Sequence, residues 1–256
     1  MVATKGKISL VGSVSLGTGV MIGAGIFALV GQVAGFAGDW FPLAFLLGAI
    51  VAGVSAYSYT RYSSVNPSAG GIAMLLKDAY GPGVAAGSFT LFMYVSMVVA
   101  ESLLARTFGT YLLRPFGLQD SAILVPLLGV LAIVAAAIVN LLGNKLVEGS
   151  ATTTAIIKIV GIALLAIAGL VGAVASGSGL FAQSSGEAPD IVGLLAGTVL
   201  CVLAYKGFTT ITNQGDDIQD AKKNIARSIV ISLAVCMVLY MLITVSVESS
   251  IGAAGA

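Results

Sequence analysis

Three charged side chains stand in otherwise apolar stretches of this sequence: Glu101, Lys158 and Lys206. A charge at the centre of a bilayer costs at least ~2.5–3.5 kcal/mol on insertion scales, so each marks a functional site by default. Two glycine-bearing stretches add a second kind of chemistry, carried by the backbone. The first is Gly17-Thr18-Gly19-Val20-Met21-Ile22-Gly23-Ala24-Gly25-Ile26-Phe27, and the second is Ala204-Tyr205-Lys206-Gly207-Phe208. A helix that breaks at Gly23–Gly25 frees N–H groups, and these together with the positive end of a helix dipole suit a carboxylate. Close helix packing through small residues is the alternative reading of the same glycines. The sequence has no histidine, which excludes histidine-based acid–base pairs, triads and metal sites. Cys201 and Cys236 both lie in apolar runs and read as buried small hydrophobes rather than a redox pair.

The elements that must position these groups follow from composition. The 256 residues are 58% hydrophobic and 9% charged, with a mean hydropathy of +1.05. A soluble domain carries about 25% charged residues. This chain could not solvate a surface of its own, which excludes a soluble enzyme, a nucleic-acid binder and a disordered chain. A spanning helix needs ~20 apolar residues, so the length holds roughly seven spans. Seven apolar segments are visible, near Ile8–Phe36, Trp40–Thr60, Val84–Leu113, Ala122–Leu142, Ala151–Ala175, Ile191–Gln214 and Ile225–Val247. Turn residues separate them, among them Gly38–Asp39, Asn66–Pro67, Gly81–Pro82 and Leu118–Asp120. The fold class is therefore all-α integral membrane.

Loop charges orient the spans. With seven alternating crossings, Lys5, Lys7, Arg61, Lys77, Lys145, Lys222, Lys223 and Arg227 fall on one side, and Arg106 and Arg114 on the other. By the positive-inside rule the N-terminus is cytoplasmic and the C-terminus outside. The loop Ser176–Asp190 contains no Lys or Arg, as suits an outer loop. The first apolar stretch has no small-residue cleavage site and reads as a retained helix in the cell (plasma or inner) membrane.

Interrupted helices in the first and sixth segments, five spans apart, are the mark of an inverted-repeat secondary transporter. Four stretches then match one family in order. They are Gly19–Gly31 (GVMIGAGIFALVG), Asn66–Gly71 with Tyr80-Gly81-Pro82 (NPSAGG…YGP), Gly143–Lys158, and Tyr205–Ser228 (YKGF…NQGDDIQDAKKNIARS). Together they resemble the amino acid–polyamine–organocation (APC) superfamily of permeases, of LeuT-type fold, and most of all its prokaryotic proton-coupled amino-acid transporters. Asp216-Asp217 replaces the family's usual acidic pair. Ala221 and Ala226 stand where prolines are usual, and Lys206 where a neutral residue is usual.

The resemblance implies proton-driven amino-acid transport by alternating access, with no cofactor and no nucleic acid. Its partners are a small-molecule amino acid and membrane lipid. It places the substrate carboxylate on the backbone of Gly23, Ala24, Gly25 and Ile26. The amine falls on the carbonyls of Ala204, Tyr205 and Leu203, with Tyr205 or Phe208 as a wall and Met97 to Glu101 lining the pocket. It assigns Lys158 to proton coupling, with its ammonium where sodium-coupled relatives bind an ion. Desolvation disfavours the charged ammonium, so a buried lysine can take up and release a proton; snorkelling to the cytoplasmic face is the alternative. Glu101 and Lys206 are expected to pair or to flank the substrate side chain, against a Glu101–Arg106 contact and a snorkelling Lys206. Asp216, Asp217 and Asp220 read as a solvated loop or as an inner gate. The resemblance also divides the chain, with 1–176 a first five-helix repeat and 177–256 the start of its inverted partner. On that division a truncated permease is expected, and another chain could supply further helices. A non-transporting fragment or a membrane subunit of a multi-chain assembly is the alternative function.

Overall fold

The computed structural model describes residues 7–68, 70–142, 144–176 and 190–255. The N-terminal stretch before Lys7, Gly143 and the loop 177–189, all used above to orient or match the chain, lie outside the described residues.

Among the described residues ten α-helices follow one another: α1 (Leu10–Phe27), α2 (Val30–Ala37), α3 (Phe41–Val65), α4 (Gly71–Tyr80), α5 (Val84–Leu113), α6 (Leu124–Leu142), α7 (Asn144–Ala175), α8 (Ile191–Ala204), α9 (Phe208–Asn213) and α10 (Ala221–Gly255), which is kinked at Gly252. Their ends follow the turn chemistry of the sequence. Pro42 sits in the first turn of α3, where its missing N–H is harmless. Asn66-Pro67 stops α3 at the other end. Asp190 caps α8, its carboxylate accepting from Val192 N and Gly193 N at 3.1 Å each.

Among the described residues, seven stretches are long and apolar enough to cross a membrane. The number agrees with the sequence reading; one boundary does not. The first expected span, Ile8–Phe36, is divided, because α1 ends at Phe27 and α2 starts at Val30. From there α2 continues through a 3-10 turn, Gly38–Trp40, into α3. The expected opening of α1 at Gly23–Gly25 is also corrected. Gly23, Ala24, Gly25 and Ile26 all lie within the helix. Glycines along this stretch serve close approach instead. A Cβ on Gly17 would meet Ile211 and Ser232, one on Gly23 the Lys158 ammonium, and one on Gly25 the Tyr240 hydroxyl.

Helices α1, α3, α8 and α10 pack around a shared core that includes Met21, Ile22, Phe41, Phe45, Cys201, Phe208, Ile229 and Tyr240. Helix α7 lies against α1 and α10, and α5 pairs mainly with α6. Both cysteines are free and buried. The outer helices carry large apolar side chains on their exposed faces, such as Phe92 (68% exposed) and Leu165 (66%). That pattern suits lipid, where each helix must satisfy its own backbone and apolar side chains need no cover. The N-terminal end of α1 is tied from several directions. Ile8 forms an isolated parallel bridge with Ile218, through Ile8 N to Asp217 O (2.7 Å) and Gln219 N to Ile8 O (2.9 Å). Glu148 of α7 accepts from the backbone N–H and the hydroxyl of Ser9. The hydroxyls of Ser13 and Ser228 lie 2.5 Å apart.

The α5–α6 pair is closed through glycines. A Cβ on Gly109 would stand 2.5 Å from the Val125 carbonyl oxygen, and one on Gly129 3.0 Å from that of Ala105. Gly109→Leu should therefore destabilise the detergent-solubilised chain by about 1–3 kcal/mol, the usual range for overpacking. Val130→Leu, on an exposed face, should leave the thermal midpoint unchanged.

Candidate functional site

Two helix breaks contribute residues to one cavity. At the first, Ala28 and Leu29 separate α1 from α2, and the Phe27 carbonyl accepts from the Tyr111 hydroxyl of α5 at 2.6 Å. At the second, Tyr205, Lys206 and Gly207 separate α8 from α9. This second turn is tight: Lys206 N bonds Leu203 O (3.2 Å), Thr209 N bonds Lys206 O (3.1 Å) and Thr210 N bonds Gly207 O (3.1 Å). Gly207 is required there, since a Cβ would stand 2.8 Å from the Gly17 carbonyl oxygen of α1.

Between the turns and α5 lies a cavity of about 260 Å³. It brings together Met97, Glu101, Leu203, Ala204 and Lys206, all expected in a pocket, and adds Ala28, Leu29, Thr209, Thr210 and Asn213. Its charged groups are Glu101 and Lys206. They do not form a direct ion pair; the Lys206 ammonium donates to the Ser96 hydroxyl at 2.8 Å. Nothing in the sequence distinguished Ser96 from the other serines of α5.

Tyr205 and Phe208 do not wall this cavity. Both are buried, and neither is among its lining residues. The Tyr205 ring lies 4.9 Å from that of Tyr240, and Phe208 meets Tyr59 edge-on at 5.3 Å. Two expected amine acceptors are engaged as well. Leu203 O takes the Lys206 N–H. Ala204 O lies 3.3 Å from the Tyr240 hydroxyl, which also donates to Met21 O at 2.5 Å. Tyr240 is completely buried and joins α1, α8 and α10 at one point. Sequence reasoning missed it, because a tyrosine in an apolar run reads as ordinary core.

Lys158 occupies a separate place. Its ammonium, half-buried, donates to the Gly19 carbonyl of α1 at 3.0 Å. The crevice around it, between α1, α6 and α7, also contains Asn140 and Thr154. So Lys158 contacts the glycine-rich stretch of α1, one helical turn before the residues expected to bind a carboxylate.

Residues 8–254 match the family model of amino acid permeases. This chain belongs to the amino acid permease family. An uncharacterized protein of Methanocaldococcus jannaschii is 31% identical over 94% of this chain and 54% of its own length. The inner membrane transport protein YbaT of Escherichia coli is 32% identical over 94% and 55%. The vacuolar cationic amino acid transporter 4 of Arabidopsis thaliana is 29% identical over 93% and 42%. The chain thus spans about half the length of the curated relatives it matches. Membership sets this multi-pass membrane protein among permeases rather than enzymes.

The Tyr240 contacts define a test of how the two turns are joined. Tyr240→Phe leaves the Met21 carbonyl without its side-chain donor and should lower stability by about 1–3 kcal/mol, read as a drop in thermal midpoint in detergent. An unchanged midpoint would show that the hydroxyl contributes nothing.

Proposed function

We propose that this chain carries amino acids across a cell membrane by alternating access, driven by a proton gradient. The observation that carries the reading is the Lys158 ammonium on the Gly19 carbonyl, in a chain of the amino acid permease family. A protonated Lys158 holds α1 through this bond; a neutral one has no charge to offer the carbonyl and loosens it. Proton uptake and release at one side chain are thereby linked to the position of α1.

The substrate occupies the cavity between α5 and the two turns. Its carboxylate meets the backbone at the turn just after Gly23, Ala24, Gly25 and Ile26, which stay helical, beside Ala28 and Leu29, which line the cavity. Its amine lies near Leu203, Ala204 and Tyr205, while Lys206, Glu101 and Met97 face its side chain. The arrangement is LeuT-type: residues 1–176 form a first five-span repeat and 177–256 open its inverted partner. The placing of the two turns in spans one and six supports this division, as discontinuous helices at a midplane site do in such transporters. The N-terminus is cytoplasmic.

Proteoliposomes containing the chain should take up labelled amino acids when the outside is made acidic. Lys158→Ala should reduce gradient-driven uptake by about tenfold or more, as when a charged hydrogen bond worth about 1.5–3 kcal/mol is lost. Uptake in that variant equal to wild type refutes proton coupling through Lys158. Because Glu101 and Lys206 are not ion-paired, Glu101→Gln and Lys206→Met should have additive effects on apparent affinity; recovery in the double variant would show that they act as a pair.

A further inference from the structure

Among the described residues, Glu248 stands apart from the other carboxylates. Its side chain is 0% exposed, and neither of its oxygens has a hydrogen-bond partner. Other acids are served: Glu148 by Ser9, Asp78 by the Tyr62 hydroxyl, and Asp190 by the N–H groups of α8. Glu101 is exposed and opens to the cavity.

Among the described residues, the elements packed against this part of the chain supply no positive charge. Glu248 lies in the last quarter of α10, a helix that packs against α1, α2, α3, α7 and the Gly38–Trp40 turn. That turn carries Asp39, a second acid. Helix α2 carries no charged residue, α3 none before Arg61, and α7 none after Lys158. Arg106 lines the crevice between α5 and α6 instead, and Arg114 begins the turn after α5. On the α7 side the neighbouring Ser250 hydroxyl is directed to the Gly169 carbonyl (3.2 Å) rather than to the carboxyl. An ionised carboxylate without donors or a counter-charge is among the costliest groups to bury. A protonated one is a neutral group about the size of a glutamine side chain.

We propose that Glu248 is a proton-binding site. Its carboxyl holds a proton while the C-terminal part of α10 is packed against α3 and the Gly38–Trp40 turn. It releases that proton to water when this part of the helix is opened. The step is a simple acid dissociation: the O–H bond breaks, the electron pair stays on the carboxylate, and water takes the proton. The new charge, on a helix that packs against the turn carrying Asp39, then opposes repacking until a proton returns. The site is on α10, separate from Lys158, and its burial holds whatever the chain transports.

Infrared difference spectroscopy on the whole chain in lipid nanodiscs tests it. At neutral pH wild type should show the carbonyl stretch of a protonated carboxylic acid, shifted on exchange into heavy water. The band should vanish in Glu248→Gln and persist in Glu101→Gln. Should glutamine fail to be accommodated, Glu248→Met reads the same band. A wild-type spectrum without an acid band, or a band that survives in the Gln or Met variant, overturns the assignment. Thermal melting gives a second readout. A native state holding a proton that the unfolded chain has lost must lose stability as pH rises above the ordinary carboxylate range. The wild-type midpoint should therefore fall from mildly acidic to mildly basic pH by more than that of Glu248→Gln. Equal slopes in the two proteins count against the site.

Discussion

A helix that stops inside a membrane leaves backbone carbonyls that water cannot serve, so side chains must serve them. At the end of α1 that need is met by Tyr111 of α5, which donates to the Phe27 carbonyl. Tyr240 of α10 and Lys158 of α7 add a second donor to carbonyls inside the helix, those of Met21 and Gly19. Three different helices thus reach the last part of α1, each through one polar atom on an otherwise apolar element. Tyr240 also reaches the end of α8 at Ala204. The turns on which the cavity depends are held open by these contacts as much as by their own sequence.

The cavity itself has mixed character. Leucine, methionine and alanine side chains form much of its surface, with threonine and asparagine from α9 and two charges of opposite sign. Lys206 is kept from collapsing onto Glu101 by its bond to Ser96. Two separate charges of opposite sign thus face one small space.

The class of fold was legible because lipid imposes a simple rule: long apolar runs, separated by turn residues, become crossings. The α8–α9 turn was legible as well, because Gly207 follows an apolar run and polar residues follow it. Lys158 was legible as a lone cation in an apolar segment. The end of α1 was not. Its glycines permit either unwinding or close contact, and which they serve depends on Tyr240 and Lys158, side chains far along the chain. Tyr205 and Phe208 were misplaced for a related reason. A turn of three residues rotates the helix that follows it, and their final direction depends on how α9 packs against α3. Ser96 and Tyr240 carry no local signal; only the three-dimensional arrangement gives them partners.

The bonds that fasten α1 connect residues very far apart in sequence. Ser13 meets Ser228 and Val14 meets Ser232, separations of 215 and 218 residues, and Met21 waits for Tyr240. During synthesis, α1 enters the lipid long before those partners exist. Until then it has only earlier partners, Tyr111 of α5 and Glu148 and Lys158 of α7. The cost of bringing such distant segments together falls at the end of assembly. The first helix to be made is thus among the last to reach its final place, because α10 carries Ser228, Ser232 and Tyr240, which fasten it.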